Sequence, residues 1–320
     1  MSQSKFKSVE VIKFRLYPNK VQEKILTQLT GNTRFVWNKL CEINSELYAA
    51  GEPYWGKYSL YKYLSVLKNS HPFLKCNSNN SSEKVVDAFD LAYKRFFEGT
   101  SSRPKWHKKN NRGSITYSQG CKLINNKLTV EYLKDIPVCL DKRYKKKALP
   151  TNPVRVTITR VPSGKYYASV TYHVKEVLEY IPTGVVGIDQ GLKDLSVTSY
   201  RKKVENKKSY RKAQKKLRKE QRTLARRKKG SKRREKQRLK VAKLHEKTAA
   251  IRKFHIDRTT TNIVINATSN NHAVAIQVIN VKNMKRNRHL AKSISDAGMG
   301  YYLSKTQIQS QVTWSTSTRN

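Results

Sequence analysis

Residues 201–247 restrict the possible folds of this chain more than any other stretch. They hold 24 Lys or Arg against four Glu (Glu205, Glu220, Glu235, Glu246). Charge at that density cannot enter a core unpaired. The run is interrupted once, at Gly230-Ser231, and sparse apolar residues recur as Leu217, Leu224, Val241, Leu244 and Ile251. That spacing predicts two antiparallel helices with a thin apolar stripe, whose remaining surface faces water or something anionic. A charge run is often a solvated face or a disordered tail; the periodic apolar residues argue against a tail.

The local excess belongs to a larger one. Lys and Arg number 67 against 22 Asp and Glu, a formal net charge of +45 over 320 residues. A compact chain so unbalanced repels itself unless a polyanion is bound. Nucleic acid is the polyanion that fits, and counterion release then makes binding salt-dependent. A merely solvated surface, the plainer reading, mixes both signs with small net charge. A membrane is the other rival, but no apolar run approaches the roughly 20 residues of a span and no leader pattern opens the chain. The expected location is cytoplasmic, at the nucleoid. Cys41, Cys76, Cys121 and Cys139 form no Cys-x-x-Cys pair. They are expected to be small core residues, without disulfides or zinc.

The length suggests about two domains. Residues 1–17 carry a strand-like run (Val9, Val11, Phe14, Leu16, Tyr17) ending at Pro18. Helical spacing follows at Val21, Ile25 and Leu29. Gly31 is expected to break that helix, with a new one over 34–48, a tyrosine-rich segment over 58–67, a turn at 76–82 and a last helix over 83–97. From 103 to 180 the pattern becomes period two around turns, as in Val154–Thr159 and Tyr166–Val174, which suits a small barrel or sandwich. The N-terminal strand is expected to join that sheet, making the helices an insertion. A third region opens with Val185-Val186-Gly187-Ile188-Asp189, a buried-type strand ending on a carboxylate. Residues 192–198 read as its hairpin partner, helix continues over 252–265, and a second buried strand is expected over 273–278.

A hydrophobic strand ending Gly-Ile-Asp, followed by a hairpin, opens the ribonuclease-H-like fold. That chemistry uses two divalent metals about 4 Å apart, and hard Mg²⁺ needs several clustered carboxylates. One Asp is not enough, and a strand-end Asp more often caps or pairs.

At this point the sequence resembles a family, the TnpB RNA-guided nucleases of insertion sequences. Phe14-Arg15-Leu16-Tyr17-Pro18 and Arg34-Phe35-Val36-Trp37-Asn38 look like its opening segment. Arg95-Phe96-Phe97 with Arg103-Pro104-Lys105-Trp106 looks like its next landmark. Val186–Leu195 is similar to the first RuvC motif except for Gln190, where Leu is usual. Asn280-Val281-Lys282-Asn283-Met284 and Leu290–Asp296 resemble the stretch after the second motif. The departures carry as much weight. The family's Ile-Glu-Asp-Leu strand, with its second catalytic Glu, reads Ile276-Gln277-Val278-Ile279 here. The Cys-x-x-Cys zinc segment and the third catalytic Asp have no counterpart before Asn320, and Asp296 is not that Asp.

The resemblance implies a multidomain α+β chain. A β-barrel-like wedge domain (1–17 and 104–182) would hold a helical recognition insertion (18–103). A truncated RuvC-like α/β domain with the basic hairpin would follow (183–320). It implies guide RNA and double-stranded target DNA with a short flanking motif as partners, and no membrane. Asp189 and Gln277 become vestigial catalytic positions, with no Mg²⁺ or Zn²⁺ site and no other cofactor. The leading expectation is a nuclease-inactive RNA-guided repressor that occupies promoter DNA. The alternatives are a truncated transposon remnant without function, and a residual nuclease that takes acids from elsewhere, such as Asp194 or Asp257. Phosphate contacts are expected from Lys215, Arg218, Arg222, Arg226, Arg227, Arg233 and Arg234. Tyr17, Trp37, Tyr54, Tyr93 and Trp106 are candidates to stack on bases, although core packing is the plainer role for each. Arg34, Asn38, Tyr54, Lys105 and Lys282 complete the candidate contacts to nucleic acid.

Overall fold

The computed structural model describes residues 9–109, 112–140, 149–173 and 181–316, with side chains as far as Gln307. The expectations for residues 1–8, for Val174 and for the last four residues lie outside the described residues. Two compact units emerge, one spanning Val9–Val174 and one running from Lys175 onward.

In the first unit, β1 (Val9–Leu16) is the strand on which the others assemble. It runs antiparallel to β7 (Tyr166–His173) along its full length, from Val9↔His173 to Leu16↔Tyr166, and touches β5 (Leu133–Cys139) on its other edge. With β2 (Gly113–Tyr117), β3 (Cys121–Ile124), β4 (Lys127–Val130) and β6 (Arg155–Arg160), the sheet order is β2-β6-β7-β1-β5-β4-β3. The first strand thus joins the later ones, and the helices are inserted between β1 and β2. Alternation puts Ile12, Phe14 and Leu16 inside, while Val9 and Val11 stand more than half exposed. The β3–β4 turn is Asn125-Asn126, both at positive φ (48° and 59°), which matches the right-handed twist of a two-residue hairpin.

The inserted helices are α1 (Lys20–Ala49), α2 (Lys57–Ser70) and α3 (Asn79–Phe97), with a short 3-10 turn at Pro72–Cys76. Asn19 and Gln22 close a reciprocal capping box at the start of α1. Contrary to the sequence expectation, Gly31 does not break this helix. A mid-helix glycine costs about 1 kcal/mol. Leu26, Leu29 and Val36 are each at most 2 % exposed around it, and each buried side chain returns about 1.5–3 kcal/mol. Burial wins. The 76–82 segment is likewise more than a turn, because Ser78 caps α3 by accepting from Ser81 N–H and the helix is under way at Asn79. Leu26 and Leu29 pack into the sheet core, while Leu40, Leu60, Leu64, Phe89 and Tyr93 form a helical core. Of the four cysteines, Cys41 and Cys121 are buried core residues, whereas Cys76 and Cys139 are exposed. Burial pushes the Cys41 thiol up to about 11 and that of Cys121 to about 12.

The second unit holds β8 (Gly184–Gln190), β9 (Asp194–Thr198), β10 (Lys203–Glu205) and β11 (His272–Ile276), in the order β10-β9-β8-β11. β9 and β10 fold back antiparallel, and β11 returns parallel to β8. The crossover is a helical pair, α4 (Ser209–Arg226) and α5 (Lys232–Ser269). Short α6 (Val281–Met284), α7 (Arg288–Ala297) and α8 (Met299–Thr316) follow. Two sequence readings need correction. The start of the basic run contains a third strand, β10. And β11 is half-buried, ending at Ile276 with Val278 75 % exposed, because it is the last strand of its sheet among the described residues. The core joins Ile188 and Leu195 to Ile256 and Ile263 of α5 and to Ile294, Met299 and Tyr302.

Candidate nucleic-acid interface

The basic hairpin is built from the inside outward. Leu217 is 1 % exposed. Beside it, Gln237 Nε2 donates to both the carbonyl and the Oε2 of Glu220, at 3.0 and 2.7 Å, and Lys240 Nζ lies 3.1 Å from Glu220 Oε1. These hydrogen bonds hold the Glu220 carboxyl below its ordinary range. Residues 213, 217, 220 and 224 recur at helical spacing on this inner face. Lys215, Arg218, Arg222 and Arg226 recur on the opposite face, all exposed, and none has a carboxylate partner among the described residues. The result is a stripe of free cations along one side of α4. Arg233 is exposed at the turn. Arg227 and Arg234 are occupied by the turn itself. Arg234 Nη1 donates to the carbonyls of Leu224 (2.6 Å) and Arg227 (2.9 Å), and Arg227 donates to Arg233 O.

Asp296, which the sequence marks only as not being a catalytic acid, positions this hairpin. Lys208 precedes α4 in left-handed backbone and gives no side-chain cap. Asp296 of α7, 4 % exposed, supplies the cap instead, accepting from Tyr210 N–H at 2.7 Å and Arg211 N–H at 3.3 Å. Arg211 also reaches Ser293 Oγ at 2.7 Å. A carboxylate at a helix N-terminus meets both free amides and the positive dipole end.

In the first unit a groove of about 750 Å³ lies between α1, α3 and the β2–β6 edge. Arg34, Lys84, Trp106, Lys108 and Arg112 line it. Trp106 is 53 % exposed there, so its face is accessible. Trp37 is not free. His107 stacks flat on it (4.5 Å between centroids, 4° between planes) and its Nε1 donates to Lys105 O at 3.0 Å. The Asn38 side chain accepts from His107 N–H (2.8 Å) and donates to His107 O (3.1 Å). Asn38 and Trp37 therefore pin the 105–107 segment to α1, with both ends of the Asn38 amide spent. Packing and nearby Arg34 hold the His107 ring below its ordinary pKa. Tyr54 is a core residue, stacked on Tyr93 at 4.7 Å and hydrogen-bonded to Asp90, and burial raises its phenol. Tyr17 is 46 % exposed with Arg15 over its ring at 4.5 Å. Lys105 and Lys282 are exposed. Lys84, His107, Lys108 and Arg112 escape a reading of the sequence, since isolated cations in a basic chain carry no local signal.

At the end of β8 the parallel register pairs Ile188 with Ile276. The next positions are Asp189 and Gln277, both exposed. The two sequence-predicted positions, one a carboxylate and one an amide, thus each lie one residue past the last paired position of neighbouring strands. Among the described residues no three His, Cys, Asp or Glu side chains cluster in a way that could hold a metal ion. Asp257 accepts from Tyr301 Oη at 2.6 Å, and Asp296 is the helix cap. A two-ion Mg²⁺ site needs several carboxylate oxygens, and this donor set does not fit one. Gln190 carries a local cost. Both of its side-chain amide atoms are buried without a hydrogen-bond partner among the described residues.

An inserted helical layer on an antiparallel sheet, and a mixed four-stranded sheet crossed by a helical pair, define a class of fold already solved. The chain covers 88 % of Cas12f1 in the "Cas12f1-sgRNA-target DNA complex" with 92 % of its own length, at a TM-score of 0.52 and 12 % identity. Residues 169–288 match the OrfB_IS605 family, described as "Probable transposase", and residues 10–53 match HTH_OrfB_IS605, "Helix-turn-helix domain". The latter span folds here as β1 and the uninterrupted α1. "Putative RNA-guided DNA endonuclease InsQ" of Escherichia coli (strain K12) is 28 % identical over 91 % of this chain and 71 % of its own. A "Putative RNA-guided DNA endonuclease" of Streptomyces pristinaespiralis is 28 % identical over 89 % and 70 %. Over residues 169–288 the chain is thus similar to a transposase family, and over most of its length to two putative RNA-guided DNA endonucleases.

Proposed function

We propose that this chain is an RNA-guided DNA-binding protein that no longer cuts DNA and represses transcription by occupying guide-matched promoter DNA. The observation that carries this reading is the placement of Asp189 and Gln277, each one position past the Ile188↔Ile276 pair, at strand ends where divalent-metal chemistry would need clustered acids. An amide is nearly isosteric with a carboxylate but brings no charge to a dication. Each unit carries a surface suited to binding: the groove at Trp106 in the first and the cation stripe of α4 in the second. In such a complex the guide supplies sequence by pairing, and the protein holds the heteroduplex backbone and reads a short flanking motif on duplex DNA. Binding and cleavage use different residues, so one can persist without the other.

The test is direct. RNA that copurifies with the full chain is sequenced, and the complex is incubated with matched DNA and Mg²⁺. One discrete RNA species, retention of matched DNA and no specific cut products are expected, along with silencing of a reporter that carries the matched site. Specific cut products would favour the second reading, a residual endonuclease, which the names of both curated relatives recommend.

A further inference from the structure

We propose that the second unit carries a separate site for a single nucleoside monophosphate, in the cavity between the β9–β10 turn and α5. The cavity measures about 250 Å³, below the roughly 300 Å³ at which drug-sized sites begin. It accepts one nucleotide and no duplex. Its floor is apolar, formed by Val186, Ile263 and Ala267. Three cations, Lys202, Lys207 and Arg258, stand around it, all exposed and with no carboxylate partner among the described residues. No Asp or Glu lines it, so the pocket selects an anion and offers a divalent cation nothing. Thr198, 7 % exposed, lines the wall with a buried hydroxyl that has no hydrogen-bond partner among the described residues. An apolar floor below a cationic rim suits a base joined to a phosphate better than phosphate alone.

The mouth is held rigid. Tyr200, 53 % exposed, offers a ring on which a base can stack, and its hydroxyl bonds His272 Nδ1. His272 sits where it does because Gly184 has no Cβ; one built there would lie 2.6 Å from His272 Cδ2. Ser199 ties the turn to β8, with its N–H donating to Gly187 O at 2.9 Å and its hydroxyl accepting from Gly187 N–H at 3.2 Å. Arg201 adopts φ +59° in the same turn, a conformation uncommon for a residue with a side chain and found disproportionately at ligand sites. A mouth already fixed in place loses little entropy on binding. Val186 lies three residues before Asp189 on β8, and no residue of the cavity is one of the strand-end pair, so this site is distinct from it.

The ligand has two possible sources, a free nucleotide or the phosphorylated end of a strand, and they share this chemistry. The full chain, stripped of nucleic acid, is titrated by calorimetry with uridine 5′-monophosphate at 0.5 M NaCl, where diffuse phosphate contacts are screened. One site per chain is expected, with uridine and inorganic phosphate each at least about tenfold weaker. Arg258→Ala and Tyr200→Ala should each weaken binding about tenfold, the size of one charge-assisted hydrogen bond or one stacked base. Circular dichroism establishes that both variants fold. If a 5′-phosphorylated RNA oligomer competes about tenfold better than its 5′-hydroxyl twin, the site takes a strand end. If the two compete equally while the monophosphate still binds, it takes free nucleotide. No preference for the monophosphate over phosphate, or affinity untouched by both substitutions, overturns the proposal.

Discussion

At the scale of single residues, several side chains that look functional in the sequence are engaged within the scaffold, and one that looks idle caps the basic hairpin. Asn38 reads as a candidate for nucleic-acid contact, yet each end of its amide is engaged with His107, 69 positions away. No local pattern encodes a bond of that span. Asp296 is recognisable from sequence only as not being a catalytic acid, because capping of α4 by α7 is a tertiary event. The two strands that carry Asp189 and Gln277 to their ends, in contrast, are legible as apolar runs, although their parallel register is a tertiary fact. The Asp296 cap gives a testable magnitude. Losing a capping side chain costs about 0.5–2 kcal/mol, and leaving two part-buried amide donors short of an acceptor pushes toward the upper end. Asp296→Ala should therefore destabilise the second unit by about 2 kcal/mol. The check is urea unfolding, with the midpoint falling and the slope unchanged; an unmoved midpoint would remove Asp296 from this role.

At the scale of elements, the legible features are those in which periodicity and a breaker agree. Gly230-Ser231 divides the basic run, and the structure ends α4 at Arg226 and starts α5 at Lys232, capped by Ser231. Gly31 looks like an equal breaker but is overruled by the side chains buried on either side of it. β10 is hidden because an edge strand of three residues with one half-buried Val204 leaves almost no hydrophobic signal. The division of labour within the hairpin is also invisible in the sequence: seven basic residues look alike, but Arg227 and Arg234 close the turn. This sorts their substitutions. Exchanging Lys215, Arg218, Arg222 and Arg226 together for Gln should lower RNA affinity for all sequences. It should reduce the slope of log K against log salt by about 3, at roughly 0.7–0.9 for each phosphate no longer neutralised. Arg234→Gln should instead leave most of the slope and raise hydrogen exchange at the end of α4, where two carbonyls lose their donor. Filter binding across a salt series separates the two, and a fourfold variant with the original slope would take the phosphates off this stripe.

At the scale of the whole molecule, the charge of +45 is too large to be the sum of a few local contacts. The described ion pairs are few and mostly local, such as Lys84–Asp87 and Lys94–Asp90, and exposed pairs of that kind contribute about 0–1 kcal/mol each. Most cations are therefore uncompensated, and their mutual repulsion acts against the folded chain while an extended one spreads it. Salt screens this repulsion over a Debye length of about 10 Å at 0.1 M and about 3 Å at 1 M. Two consequences follow, with the same sign and different origins. Raising NaCl should raise the melting temperature of the RNA-free protein, by about 2–4 °C for each kcal/mol of relieved repulsion in units of this size. Bound RNA should raise it further through mass action, since the ligand favours the folded state. The second effect must shrink as salt rises, because counterion release weakens RNA binding. Scanning calorimetry from low to high salt, with and without stoichiometric RNA, should therefore give two melting curves that converge at high salt. An RNA-free melting temperature that falls with salt would mean that the cations are compensated within the fold, and the case for a polyanion partner built on charge would fall with it.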